Sequence, residues 1–297
     1  MTDSQRSRRF QKPSCPESTV NGSGLTRRSV LRLGAAVGAF SLTGARFGQA
    51  QAQTLAEFFW PRGDGANPDH SPWSDLIKRY VIESADNLNL VRYRAFKADQ
   101  PALKRYLETL ARERPSGMDR ANSAAYWVNL YNALTIDVIL DYYPVSSIRD
   151  INLGGGGFFG RGPWSRPLIE VEGKALSLDN VEHDILRPTL GDARIHYVVN
   201  CASISCPSIP TVALTGGNLG RTLNSGAQQY VNSDRGVKVE HNRITASKIY
   251  DWYAGDFGGR RALKEHWLRF ADDEKAAAIR STNTIRFDYD WGLNDAG

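Results

Sequence analysis

Apolar residues recur at spacings of three and four along two early stretches, and this predicts amphipathic helices over 73–84 (WSDLIKRYVIES) and 99–113 (DQPALKRYLETLARE). The segment before them, Leu55 to Pro72, reads as an irregular lead-in. Met118 to Tyr142 carries the strongest helical pattern, with Asp119 as its cap and Pro144 just beyond its end. This segment is apolar around most of its girth, so it is expected to be a buried central helix.

The pattern then shortens. Ser147 to Ile151 is brief, and the glycine run from Gly154 to Gly160 reads as a loop. Leu168 to Val171 reads as a strand that turns at Gly173-Lys174. Ser177 is expected to cap a helix over 178–186 that Pro188 closes. The β-branched run 194–201 (RIHYVVNC) predicts a buried strand. Gly220 to Asn232 reads as helix, and Val237–Glu240 with Arg243–Ala246 as a hairpin around His241-Asn242. Helices at 250–257 and 261–271 and an aromatic tail at 287–291 follow. The expected class is α+β: a helical N-terminal half with a buried central helix, then a small, mostly antiparallel sheet with interleaved helices.

The N-terminus changes how the composition is read. Arg27-Arg28 opens TRRSVLR, an acid-free apolar stretch runs from Leu33 to Leu42, and Ala50-Gln51-Ala52 places small residues at both positions a signal peptidase inspects. This is the layout of a twin-arginine signal peptide over residues 1–52, cleaved near Ala52. It predicts a periplasmic or secreted protein that engages the twin-arginine translocation machinery. The apolar stretch is too short to span a membrane, and no later one is long enough. The chain carries 37 Lys and Arg against 32 Asp and Glu. The leader holds eight of these bases and two of the acids, leaving 29 and 30. The remainder, 53–297, is near neutral and reads as one domain, which removes a nucleic-acid reading.

Candidate chemistry centres on Cys201-Ala-Ser-Ile-Ser-Cys206-Pro207. Cys15 leaves with the leader, so two cysteines face an oxidising compartment. Three readings are open for them. They form a disulfide across four residues, Cys201 is a reactive thiol, or the pair joins His183 and His196 as zinc ligands. The spacing matches no common zinc motif, and no metal or other cofactor is assigned. A nucleophilic thiol needs a base. Strand alternation would point His196 away from Cys201, which favours His183. Glu182 is its neighbour, about 100 degrees away on a helix. Asn129 and Asn132 share a face of the central helix and must be hydrogen-bonded. They either satisfy backbone groups, or one orients the imidazole or donates to an oxyanion. The glycine run lacks the Lys and Ser/Thr of a phosphate loop, and Trp252, Tyr253 and Phe257 read as core.

Five segments occur in order: AYWVNLYNALTIDVIL, SIRDI, ALSLDNVEHDILRP, RIHYVVNCASISCP and SKIYDWYAGDF. Together they resemble the family catalogued as domain of unknown function 547, over roughly Ala121 to Phe257. The resemblance implies no established activity. It does imply that the Asn-bearing helix, the Glu-His helix and the strand ending in Cys belong together. It also implies a less constant second cysteine, which favours the thiol reading of Cys201. A helical region followed by a small sheet with Cys and His is also similar to papain-like and transglutaminase-like hydrolases. The order here, His before Cys, departs from theirs.

The expectation is therefore a thiol-dependent hydrolase or acyltransferase acting on a small-molecule or peptide substrate. Cys201 would be the nucleophile and His183 the base, with Glu182, Asn129 or Asn132 orienting or stabilising; His196 and Cys206 are second candidates. The rival is a non-catalytic binding or assembly module with a structural Cys201–Cys206 bridge.

Overall fold

A computed structural model describes residues 53–65, 68–84, 88–154 and 160–297. Residues 1–52, where a signal peptide is expected, and most of the glycine run lie outside the described residues. Contacts separate Met1–Ala50 from Gln51–Gly297, and the second unit holds everything that follows.

The helical half is built in the order α1 (Leu55–Phe58), α2 (Ser71–Tyr80), β1 (Val81–Glu83), β2 (Asn89–Val91), α3 (Tyr93–Phe96), α4 (Gln100–Arg112) and α5 (Arg120–Tyr142). The predicted helix 73–84 stops at Tyr80, because its β-branched end pairs instead, with Val81 opposite Val91 in an antiparallel ladder. The central helix behaves as its pattern dictates. The Asp119 side chain accepts from the N–H groups of Ala121 and Asn122, and 17 of the helix's 23 residues are buried.

The second half opens with a small hairpin, β3 (Ile169–Val171) and β4 (Lys174–Leu176). The predicted cap then forms, with Ser177 Oγ accepting from the Asn180 N–H at 3.2 Å. The helix it caps widens into a π turn over Asn180–Leu186, seen in the i→i+5 bond from the Arg187 N–H to the Glu182 carbonyl. It ends in α6 (Arg187–Leu190), where Gly191 takes a left-handed conformation at φ 60°. Then come α7 (Leu219–Asn232), β5 (Val237–Glu240), β6 (Arg243–Ser247), α8 (Ile249–Trp252), α9 (Leu263–Leu268), α10 (Asp273–Ser281) and β7 (Thr284–Asp288). The β5–β6 turn sits on His241 and Asn242, both at positive φ, as a two-residue hairpin requires. β7 joins β6 in parallel, so this sheet is mixed, although the other ladders are antiparallel.

Two sequence expectations fail here. The run 194–201 is not a strand: Ala193–Tyr197 is a 3-10 helix capped by the Asp192 side chain. Its three-residue period places Ile195 and Val198 in one apolar cluster, while Tyr197 enters the other. The predicted helix 250–257 ends at Trp252, and Gly258 and Gly259 beyond it sit at positive φ.

The first cluster surrounds α5, and the second lies between α7, α9 and the mixed sheet. The segment from Ile195 to Cys201 runs along the seam between them. Among the described residues, no helix is long and apolar enough to cross a membrane.

Two buried histidines give the fold an acid limit. His70 Nδ1 bonds Tyr106 Oη and His266 Nε2 bonds Tyr197 Oη, each at 2.7 Å. Burial, aided at His266 by Arg269, lowers both from 6.5 to about 4. Between these values the unfolded chain binds protons that the folded chain refuses, so stability falls as pH drops from 6.5 toward 4. We expect the urea midpoint to fall between pH 7.5 and 5, with a loss of about 1–2 kcal/mol per histidine after screening. A midpoint that holds or rises would remove this account.

Candidate functional site

The π turn, the 3-10 helix, the loop 201–207 and the chain after β7 all converge on one narrow cavity at the seam. Tyr131, Glu182, His196, Cys201 and Cys206 line it, with Tyr253, Trp252 and Tyr289. Its volume is about 20 Å³, room for about one water molecule. Trp252 and Tyr289 are the lining residues that remain part-exposed, so they form the wall toward solvent. A larger, open pocket of about 500 Å³ begins where the loop continues at Ser208, but it carries neither thiol nor imidazole.

The Cys201 sulfur is ringed by hydrogen-bonding groups. Cys206 Sγ lies 3.0 Å away, Tyr289 Oη 3.1 Å and Ser203 Oγ 3.2 Å. The two hydroxyls also touch each other at 2.9 Å. Burial pushes the Cys201 thiol up, but the hydrogen bonds from Cys206, Ser203 and Tyr289 outweigh it and bring the group below a free thiol. They also outweigh the opposing charge of Glu182. Cys206 goes the other way, raised well above its ordinary value by burial and by the sulfur beside it. Burial likewise keeps the Tyr289 phenol protonated, so it stays a donor. Of the two, Cys201 is the sulfur that gives up its proton more readily and Cys206 the one that keeps it. Both cysteines are free.

The loop is held from several sides. Ala202 takes a left-handed conformation at φ 61°, unusual for a residue with a side chain. Asn200 Oδ1 accepts from its N–H at 2.9 Å, and Asn200 Nδ2 donates to the Pro207 carbonyl at 2.7 Å. The C-terminal chain runs alongside: the Ile204 N–H donates to Gly292 O and the Asn294 N–H to Ala202 O. Half-buried Arg235 donates to the Cys206 carbonyl at 2.7 Å and to Ser208 Oγ at 2.8 Å.

His196 shares this cavity, contrary to the alternation argument, because the segment is not extended. Its Nε2–H donates to Asp256 Oδ2 at 2.7 Å, an assignment that follows from the carboxylate being an acceptor. Its Nδ1 has no hydrogen-bond partner among the described residues and faces Glu182 Oε1 at 3.8 Å. Tyr253 stacks on the ring at 4.2 Å and 12°. Asp256 also takes both Nε and Nη2 of Arg187, at 2.7 and 2.9 Å. Burial opposes its charge, but the bonds from His196 and Arg187 hold its carboxyl well below the usual carboxylate range.

The other candidates separate. His183 does not line the cavity; its Nδ1 lies 3.4 Å from Arg187 Nη1 and 3.9 Å from Glu182 Oε1. The Asn129 amide clasps the backbone of Leu214, donating to its carbonyl at 2.8 Å and accepting from its N–H at 2.9 Å. Asn132 does the same to the chain entering Cys201, donating to Val198 O and accepting from the Asn200 N–H, both at 2.8 Å. Among the described residues, no group of three or more His, Cys, Asp or Glu side chains is placed to hold a metal ion.

Sequence reasoning missed Ser203, Tyr289 and Asp256. Ser203 stood inside the quoted cysteine motif as a small residue. Asp256 stood inside SKIYDWYAGDF, where the neighbouring aromatics drew the reading toward core. Tyr289 left no local signal, since only tertiary pairing brings it to the loop.

No curated protein and no solved structure matches the chain. Residues 115–231, which carry Glu182, His196 and both cysteines but not Asp256 or Tyr289, match the model of a family described as Protein of unknown function, DUF547, and this stretch is therefore similar to the family that the ordered motifs resemble.

Proposed function

We infer that the chain is an exported thiol-dependent hydrolase or acyltransferase, with Cys201 as nucleophile, His196 as general acid and base, and Asp256 as the residue that orients His196. One observation carries the reading. A sulfur ringed by three hydrogen-bonding groups shares a small cavity with an imidazole whose Nδ1 is unpartnered. His196 takes the role that the sequence pattern assigned to His183.

The chemistry follows from these groups. The Cys201 sulfur attacks an acyl carbon, and the hydroxyls of Ser203 and Tyr289 are donors beside the developing negative charge. His196 Nδ1 takes the Cys201 proton as the sulfur attacks and hands it to the leaving amine, alcohol or thiol; it then takes a proton from the water that cleaves the thioester and returns it to the departing Cys201 sulfur. Glu182 and Asp256 lie toward opposite ring nitrogens and stabilise the imidazolium that exists whenever Nδ1 holds the transferred proton. Asn132, Asn200 and Arg235 position the loop and do not touch the reacting atoms. An acyl group enters by displacing the Trp252 ring, since the cavity now holds about one water. The arginine pair and apolar stretch of the leader support export to the periplasm or beyond by the twin-arginine machinery.

The rival, a binding or assembly module with a structural bridge, draws on the 3.0 Å contact between the sulfurs. An electrophilic chloroacetamide probe separates the two. We expect the reduced, folded chain to be labelled at Cys201, Cys206→Ser to keep the label and Cys201→Ser to lose it. Equal labelling of Cys201→Ser would overturn the assignment. An exported form with no free thiol and no label would favour the rival.

A further inference from the structure

We propose that the Cys201–Cys206 pair reduces small hydroperoxides, with Cys201 as the attacking sulfur and Cys206 as the sulfur that resolves the oxidised product. This rests on the reading of Cys201 as the nucleophile and adds a second reaction to the same sulfur.

Three features of the pair carry it. The sulfurs are 3.0 Å apart as free thiols, so closing to a bond of about 2.05 Å needs a movement of roughly 1 Å and no rebuilding of the loop. The surroundings are unequal. Cys201 Sγ lies against two hydroxyls, those of Ser203 and Tyr289, as well as Cys206 Sγ, whereas Cys206 meets no hydroxyl: it accepts from the Cys201 backbone N–H at 3.0 Å and faces the Val199 carbonyl at 3.8 Å. That N–H steadies the negative charge on Cys206 as it gives up its proton to attack. Finally, the cavity takes about one water-sized body, which suits hydrogen peroxide and excludes bulky acyl or lipid hydroperoxides unless the aromatic wall moves.

The steps balance. The Cys201 thiolate attacks one peroxide oxygen and the O–O bond breaks. The leaving oxygen takes a proton from the Tyr289 or Ser203 hydroxyl, which is replenished from solvent, and Cys201 becomes a sulfenic acid. Cys206 then attacks the Cys201 sulfur, its proton joins the departing hydroxide, and water leaves as the disulfide forms. In sum, two thiols and one peroxide give one disulfide and two waters. A small dithiol, or a protein dithiol of the exported compartment, returns the pair to thiols by exchange.

The test uses the full chain, reduced and freed of reductant. With hydrogen peroxide we expect loss of both thiols and a Cys201–Cys206 disulfide by mass spectrometry. The rate should be roughly tenfold or more above that of free cysteine at pH 7, where free cysteine is only a few per cent thiolate. Cys206→Ser should stop at a sulfenic acid on Cys201, trapped by dimedone, and Cys201→Ser should consume no peroxide beyond background. tert-Butyl hydroperoxide should react roughly tenfold or more slowly than hydrogen peroxide, because a water-sized cavity does not admit it. Unchanged thiols after peroxide, with Cys201 still labelled by chloroacetamide, would overturn the peroxide proposal and leave the nucleophile standing. Unchanged thiols with no chloroacetamide label would overturn both.

Discussion

Asn132→Ala is expected to destabilise the chain by about 3–5 kcal/mol, because it strands a buried carbonyl and a buried N–H and opens a small cavity. Asn132 stands where a partner strand would otherwise have served Val198 and Asn200. Its loss also frees the backbone that enters Cys201, so the ring of hydrogen-bonding groups around the sulfur should loosen and chloroacetamide labelling should change in rate and in pH dependence. Asn129→Ala is the matched control. It removes the same two kinds of bond, from Leu214, and is expected to cost a similar amount. It should leave Cys201 labelling as it was wherever the protein remains folded. Urea midpoints give the stability, and labelling below the transition gives the site. Equal changes in Cys201 reactivity from both variants would show that Asn132 has no particular hold on the nucleophile.

Asp256→Asn should have the second large effect, and a different one. The carboxylate is part-exposed, so stability should change little. What it controls is the imidazole. With Asp256, the proton resides on Nε2 and Nδ1 is available to work. An amide can donate to Nε2 instead, which moves the proton to the nitrogen that should accept one, and Arg187 loses its two-pronged partner nearby. With an activated acetate ester, the variant should still acylate Cys201, but release of the acetyl group should slow by roughly 10²–10⁴-fold, the scale of losing an orienting carboxylate. The acetyl adduct should then accumulate on Cys201 and be visible by mass spectrometry. Acylation and release slowed in parallel would point to a structural role for Asp256 instead.

How much of this was legible depended on whether the information was local. The central helix was readable because its cap, its apolar girth and the proline beyond it all sit within one stretch. The hairpin at His241-Asn242 was readable because a two-residue turn at positive φ selects such residues. The motif CASISCP marked the loop that borders the cavity, and Glu182, His196 and Cys206 do line it with Cys201. The placement of His196 was misread for a definite reason. A β-branched run predicts an extended chain, but 194–201 has no strand beside it; short-range turns and the Asn132 amide satisfy its backbone instead. The parity that separated His196 from Cys201 therefore never applied. The π turn at Asn180–Leu186 is invisible to periodicity because it adds a single residue to an otherwise helical pattern. Asp256 and Tyr289 come from distant segments through tertiary packing, for which no spacing rule exists.

The claim on which the rest depends is that Cys201 is the more acidic sulfur of the pair and that Cys206 keeps its proton. Alkylation of the reduced, folded chain across pH, with each cysteine followed by mass spectrometry, tests it directly. Cys201 should react first, with an apparent midpoint below the value of about 8.5 for a free thiol, and Cys206 should stay unmodified until the chain unfolds. Contradiction would come from Cys206 reacting first, or from a Cys201 midpoint at or above the free-thiol value.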